Sequence, residues 1–401
     1  MKSHLSNRIN ELAESETLAM MRISRELINK GYDVISLAIG EPDFDTPEPI
    51  KQAAIEAINN NFTHYTPVSG IIELRQAICR KLLRDNNLEY KPENIVVSTG
   101  AKQAIYNVIM CLVNPGDEVI IPSPYWVSYK EIIKLSEGKA IYIDTDIEND
   151  FKITTEQLEA AITPKTKMII YSSPCNPSGS VYTKSELEAI ALVLKKYPSI
   201  YIVSDEIYEN INFTGEHYSI ANFEYIKDRV ILVNGVSKSF AMTGWRVGYI
   251  AAPSFVAQAC DKLQGQVTSC TNSIAQKAAI AALDTDPKKS IELKSMLLAF
   301  KERRDIALKM LNEIPNIKTN IPQGAFYILP DVSYYFGKIY NDKIIHDANE
   351  LCDYLLQNFY IALVPGDAFG NPKTVRISYA ISKDRLVEAI SRLKKGLNEL
   401  K

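Results

Sequence analysis

Seven short apolar runs constrain the fold of this 401-residue chain. They are IVVST (95–99), EVIIP (118–122), KAIYID (139–144), TKMIIYSS (166–173), IYIVSDE (200–206), RVILVNG (229–235) and VGYIAAP (247–253). Most are near-continuous Val and Ile, without polar alternation. A strand that reads this way is covered on both faces. Helical patterns lie between several of them: AKQAIYNVIMCLV, YWVSYKEIIKLS and TKSELEAIALVLKKY. Strands alternating with helices fold into a largely parallel sheet with helices on both sides. The expected architecture is α/β, a mainly parallel seven-stranded sheet flanked by helices over residues 49–288.

The texture changes near residue 290. A long charged helical pattern, SIELKSMLLAFKERRDIALKML, is followed by short strand-like runs, GAFYILP and VRISYA, and a last helix. We expect a smaller α+β domain over residues 289–401. Residues 1–48 read as an N-terminal arm that also supplies part of that domain. No internal repeat or low-complexity segment is visible.

Composition narrows the function. Apolar residues make up 46% and charged residues 23% of the chain, as in an ordinary globular protein. The net charge of -3 is mixed, without a basic stripe, which argues against nucleic acid. The cysteines (Cys79, Cys111, Cys175, Cys260, Cys270 and Cys352) are scattered without metal-ligand spacing. We expect a reducing compartment and no metal site. The polar start MKSHLSNRINELAESET lacks a signal peptide's apolar core. No run reaches the ~20 apolar residues of a membrane span. The expected address is the cytoplasm, with no membrane partner.

Ligands of open parallel sheets bind beyond the carboxyl ends of the strands. Four unusual segments occupy such ends: STGAKQA after IVVS, SSPCNPSG after MIIY, SDEIYE after IYIV, and NGVSKS after RVILV. Each also has a plain structural explanation. STGAKQA makes a helix N-cap, an Asp after a strand caps the next helix, CNPSG makes a turn, and a lone lysine is usually solvated. What favours function is that all four converge on one crevice.

Pyridoxal phosphate chemistry needs these parts. A lysine amine forms a Schiff base with the cofactor aldehyde, and an acid pairs with the pyridinium nitrogen. Lys238, at the end of an apolar run, is the candidate amine. An apolar setting and a nearby cation keep part of a lysine neutral. Asp205, on an expected neighbouring strand, is the candidate acid. The glycine-led helix start Ser98-Thr99-Gly100-Ala101 suits a dianionic phosphate.

SLAIGEPDFDTP, HYTPVSG, SPYWVSY, NPSG, SDEIYE, SKSFAMTGWRVGY and VRISYA together resemble a fold-type I, class I aminotransferase, nearest the bacterial aspartate aminotransferase subgroup I-gamma. The matches run in order from about residue 36 to 380. The resemblance implies that Lys238 is the Schiff-base lysine and the base that moves a proton between the substrate Cα and the cofactor C4′. It makes Asp205 the pyridinium partner, and gives Tyr208 and Asn176 to the cofactor's phenolic oxygen. Trp126 stacks on the ring. Gly100, Ala101, Lys102, Ser237 and Arg246 belong to the cofactor shell, mostly at its phosphate. Arg376 clamps the substrate α-carboxylate, and Gly40 meets it through its main chain. Asn176 and Trp126 also border the substrate. Tyr65 reaches the phosphate of a neighbouring subunit, which implies a homodimer with shared sites. A cis peptide is expected at Asn176-Pro177.

Two positions depart from the pattern. Where many class I enzymes carry a phosphate-touching serine, this chain has Gly235, leaving Ser237 or Ser239 to contribute. Relatives that use prephenate carry an arm lysine where this chain has Ala13, which argues against prephenate use without deciding it. Lys102 matches a lysine that faces a distal carboxylate in the subgroup. The implied activity is ping-pong transfer from L-aspartate to 2-oxoglutarate. Alanine, aromatic or kynurenine specificity, or carbon–sulfur cleavage, remain open on the same fold. A cofactor-sensing regulator would need a DNA-binding module, and the first 48 residues are not basic. A nicotinamide enzyme would need a GxGxxG turn that is absent.

Overall fold

A computed structural model describes residues 4–14 and 16–401. Residues 1–3 and 15 of the expected arm lie outside the described residues. Seven strands form the central sheet: β1 (Ile95–Ser98), β2 (Glu118–Ser123), β3 (Lys139–Asp144), β4 (Thr166–Ser172), β5 (Tyr201–Asp205), β6 (Val230–Gly235) and β7 (Gly248–Ala251). Their order is β1-β7-β6-β5-β4-β2-β3. All pairings are parallel except those of β7, which is antiparallel to both β1 and β6.

The apolar runs follow from this geometry. Successive strand residues point to opposite faces. Val97, Ile120, Ile169, Ile202 and Leu232 enter one core, and Val96, Val119, Ile170, Val203 and Ile231 enter the other. Both faces are covered, so the strands are mostly apolar on both, and a buried polar residue such as Ser204 is hydrogen-bonded. Burying each such side chain contributes roughly 1.5–3 kcal/mol. The edge strand β3 is the exception: Lys139, Tyr142 and Asp144 are exposed and only Ile143 is buried.

Helices cover the sheet and frame the site. We label those needed here: α1 (Glu16–Asn29), α2 (Ile72–Asn86), α3 (Ala101–Leu112), α4 (Ser128–Leu135) and α5 (Ile291–Asn312). The long charged pattern is one 22-residue helix, α5, with the Ser290 side chain capping its start. A smaller domain is present. Its three-stranded antiparallel sheet joins β8 (Tyr327–Ile328), β9 (Val364–Pro365) and β10 (Val375–Ser378) in the order β9-β10-β8. Ile35–Ser36 pairs in parallel with Ile361–Ala362, which ties the N-terminal segment to the C-terminal part. Among the described residues, no helix is long and apolar enough to cross a membrane.

Register gathers the site. Ser172 lies opposite Asp205, and Asp205 opposite Val233. Gly248 lies opposite both Ser98 and Gly235, because antiparallel β7 begins where its neighbours end. The carboxyl ends of β1, β4, β5 and β6 therefore share one edge.

Candidate active site

A cavity opens at that edge, between the arm, the large sheet and β10. It is lined by Gly40, Ala101, Lys102, Trp126, Asn176, Asp205, Tyr208, Ser237, Lys238, Arg246 and Arg376, all singled out from sequence. Its charged lining residues are Lys102, Lys238, Arg246 and Arg376, against the single acid Asp205. None of the four cations makes an ion pair among the described residues. A cavity with this excess of positive charge is suited to anions.

Lys238 sits in the turn that follows β6. Its Nζ donates to the Gly40 carbonyl at 2.7 Å. Burial pushes its pKa down to about 8, assisted by the Arg246 and Arg376 guanidinium groups and opposed by Glu41 and Asp205. A useful fraction of the amine is then neutral near physiological pH.

Asp205 ends β5 and is almost fully buried. Burial raises its pKa to about 6. Hydrogen bonds oppose that rise: Tyr129 Oη donates to Oδ2 at 2.7 Å, and the Ile207 N–H donates to Oδ1 at 3.3 Å. The carboxylate is thus held in one orientation. A protonated ring nitrogen is the kind of group that would restore its charge.

Arg376, on β10, is 2% exposed. Its Nη1 donates to Asn176 Oδ1 at 3.0 Å and Nη2 to the Ala38 carbonyl at 2.7 Å. Its Cζ lies 4.6 Å from the Tyr327 ring centre and 4.8 Å from that of Phe369. Among the described residues its Nε has no partner. A buried guanidinium with an idle donor and no carboxylate is a built anion site. Asn176 is held by a turn with cis peptides at Ser173-Pro174 and Asn176-Pro177, the latter as expected.

At the other end of the cavity, Gly100 caps α3 with φ 82°, and Ala101 and Lys102 open the helix. A Cβ on Gly100 would stand 2.2 Å from Arg246 Nη2. A Cβ on Gly248 would stand 2.2 Å from the Ala101 nitrogen. Both glycines let a helix N-terminus and a guanidinium meet at one point. Arg246 has left-handed backbone, φ 56°, a conformation that costs a non-glycine residue about 1 kcal/mol. Such strain persists where surrounding structure enforces it. Lys102 Nζ lies 5.0 Å over the Trp126 ring. Burial, and secondarily Arg246, lowers its pKa.

Residues 32–393 match the family described as aminotransferase class I and II. The chain belongs to this aminotransferase family. The aminotransferase is 45% identical to a Nitrosomonas europaea protein named aspartate/prephenate aminotransferase, over 97% of this chain and 98% of the relative. It matches the structure of the aspartate aminotransferase of Rhizobium meliloti with a TM-score of 0.95 and 40% identity, over 100% of both chains. It matches Thermus thermophilus aspartate aminotransferase with maleate at a TM-score of 0.92 and 38% identity, over 99% of this chain and 100% of that one. Class I aminotransferases depend on pyridoxal phosphate.

The residues of this aminotransferase fit that cofactor. The helix N-terminus with Arg246 matches a phosphate, Asp205 a cationic ring nitrogen, and Lys238 an aldehyde. Alanine at position 100 would strain the backbone and push Arg246 aside. We expect Gly100→Ala to weaken pyridoxal phosphate binding about tenfold or more, equivalent to ~1.4 kcal/mol. A titration giving the parent affinity would remove Gly100 from the phosphate cradle.

Ser237 lines the cavity, whereas Ser239 lines a separate cavity behind the lysine turn and its hydroxyl is unpartnered among the described residues. Of the two candidates near Gly235, only Ser237 faces this cavity. Tyr129 and Tyr327 were missed. Tyr129 holds Asp205, and Tyr327 Oη lies 2.8 Å from Tyr208 Oη. Tyr129 stood inside the quoted SPYWVSY motif, one helical turn beyond Trp126. Tyr65 is 90% exposed and does not line the cavity of its own chain.

Proposed function

We propose that this chain is an aspartate aminotransferase, passing the amino group of L-aspartate to 2-oxoglutarate in a ping-pong cycle. The observation that carries this is the buried, carboxylate-free Arg376 facing the same cavity as Lys238 and Asp205. The Rhizobium and Thermus relatives bear the same activity in their names, and the latter was solved with maleate, a dicarboxylate.

When bound, pyridoxal phosphate supplies an aldehyde for amino groups and a ring that accepts the electron pair of a deprotonated carbon. The rest falls to the chain. Arg376 grips the α-carboxylate, with Gly40 and Asn176 beside it. Lys238 takes the proton from the substrate Cα, and its lowered pKa suits a base at neutral pH. Asp205, steadied by Tyr129, would hold the proton of the ring nitrogen. Tyr208 and Asn176 would serve the phenolic oxygen, and Trp126 would cover the ring. Gly100, Ala101, Ser237 and Arg246 would hold the phosphate. Lys102, close to Trp126, meets the second carboxylate of the substrate.

Tyr65, exposed in one chain, reaches the phosphate of a second copy in a homodimer with shared sites. We assign an arm with part of the small domain to residues 1–48, the large domain to 49–288 and the small domain to 289–401, with the cytoplasm as the address. Ala13 brings no cation to the substrate; its N–H donates to Glu131 Oε2 at 3.2 Å, and it does not line the cavity. Ala13 thus argues against prephenate, the other substrate in the Nitrosomonas relative's name, and for aspartate as the donor.

The test is optical. Adding L-aspartate to the protein with bound cofactor should change the cofactor's absorbance, and 2-oxoglutarate should reverse the change. A spectrum that ignores aspartate but responds to alanine or an aromatic amino acid would replace the substrate. A second test addresses specificity. Lys102→Ala should lower kcat/KM about tenfold for aspartate and within about twofold for alanine, since one charged contact is lost only in the first case. Equal losses would take Lys102 out of that role.

A further inference from the structure

The motif SDEIYE carries two acids that the site does not use. Asp205 and Tyr208 line the active-site cavity, whereas Glu206 and Glu209 do not. Both glutamates are nonetheless buried, Glu206 at 1% and Glu209 at 6% exposure. Glu206, Glu209 and His217 place ligand atoms within 4.8 Å of one another, the spacing of a metal site. Their oxygens are already taken. Glu206 Oε1 accepts from Ser204 Oγ at 2.9 Å and Ser219 Oγ at 2.6 Å, and Oε2 pairs with His217 Nε2 at 2.8 Å. Glu209 Oε1 pairs with the buried ammonium of Lys81, and Oε2 accepts from Asn86 Nδ2 at 2.9 Å. Lys81 also donates to Asn86 Oδ1 at 2.7 Å. Lys81 thus supplies the cation that a metal would supply.

The network has a different consequence. Beyond β5 the backbone from 206 to 211 is neither helix nor strand. It is held by turn hydrogen bonds, Glu209 N to Glu206 O at 3.0 Å and Ile211 N to Tyr208 O at 2.8 Å, and by Glu206 N to Val233 O at 2.9 Å. Side chains must therefore set its course. Glu209 pins it to the C-terminal end of α2, which carries Lys81 and Asn86. Glu206 pins it to the segment carrying His217 and Ser219. Asp205, Ile207 and Tyr208 line the cavity, and the network residues Glu206 and Glu209 are interleaved with them along the same short turn.

We propose that the Glu206 and Glu209 pair is a positioning device that fixes where Asp205 and Tyr208 stand at the cofactor. This rests on the reading of those two residues as the cofactor's partners. A buried carboxylate held by several donors has one low-energy position, and that precision passes to its neighbours along the turn. Neither glutamate touches cofactor or substrate in this scheme.

Glu206→Gln keeps the volume and removes the charge opposite His217. The double substitution Lys81→Met with Glu209→Leu removes one charge of each sign and leaves no uncompensated ion, so it keeps a folded reference if the first variant is unstable. In either variant, we expect weaker pyridoxal phosphate binding and a kcat per bound cofactor lower by up to about 100-fold, the scale of a 1 Å misplacement. KM for aspartate should stay within about twofold, because Arg376 is untouched. In the cofactor-free protein, amides 206–211 should exchange faster with solvent. Parent-like exchange, affinity and kcat in a folded variant would overturn the proposal. Asp205→Asn run in parallel separates two failures. If it too binds cofactor like the parent, the reading of the site fails; if it alone is damaged, only the positioning role fails.

Discussion

Replacing Lys238 by alanine will lower aspartate turnover by at least about 10⁴-fold, the scale of a lost general base acting on carbon. Among the described residues, no other lysine is placed to substitute. Lys102, the other lysine lining the cavity, lies over Trp126. The same substitution site carries a stability signature of opposite sign. The folded protein holds the Lys238 pKa at about 8, below the ordinary 10.5, chiefly by burial. Between about pH 8 and 10.5 the unfolded chain binds this proton more tightly, so the contribution of Lys238 to stability rises with pH there. Below pH 8 the full penalty applies, on the order of 3 kcal/mol. Lys238→Met, which keeps the volume and removes the charge, should therefore raise the melting temperature of the cofactor-free protein at pH 7. The gain should shrink as pH climbs towards 10. A variant retaining more than a few per cent of parental turnover would end the assignment of Lys238. An unchanged melting temperature would show that the ammonium is better solvated than its burial implies.

That opposition explains which parts of the site the sequence revealed. A fully buried strand shows as a continuous apolar run, so a lysine or aspartate at its end stands out. Asp205 and Lys238 were legible for this reason, as were the NPSG turn with Asn176 and the glycine-led helix start. Tyr129 and Tyr327 were not. Buried tyrosines look like core in sequence, and only the tertiary fold decides what their hydroxyls meet. Ser237 and Ser239 flank the lysine symmetrically along the chain, and the course of the turn after β6 sends them to different cavities. Glu206 and Glu209 read as ordinary charges, because their partners Lys81 and His217 are distant in sequence. The sheet was legible throughout, save that the antiparallel setting of β7 leaves no mark in VGYIAAP. The decisive feature of β7 is Gly248, whose missing side chain admits the α3 N-terminus.

Arg376→Lys should cost about 3–4 kcal/mol in kcat/KM for aspartate, a loss of roughly 150- to 900-fold. The charge survives, but the fork does not. The guanidinium spends one Nη on Asn176 and the other on the Ala38 carbonyl, and it lies between two aromatic rings. A lysine ammonium is a point donor that cannot hold Asn176 and Ala38 while presenting a planar pair of N–H groups to a carboxylate. The Asn176 amide would also lose its anchor, so the loss should appear in kcat as well as KM. Because one guanidinium reads both acids in turn, single-turnover rates with aspartate and with 2-oxoglutarate should fall by similar factors. Cofactor affinity should change little, since the phosphate lies at the α3 and Arg246 end of the cavity. A loss below tenfold would mean that another group binds the α-carboxylate. A loss confined to one half-reaction would mean that donor and acceptor are held by different residues, and the single-clamp scheme would have to be abandoned.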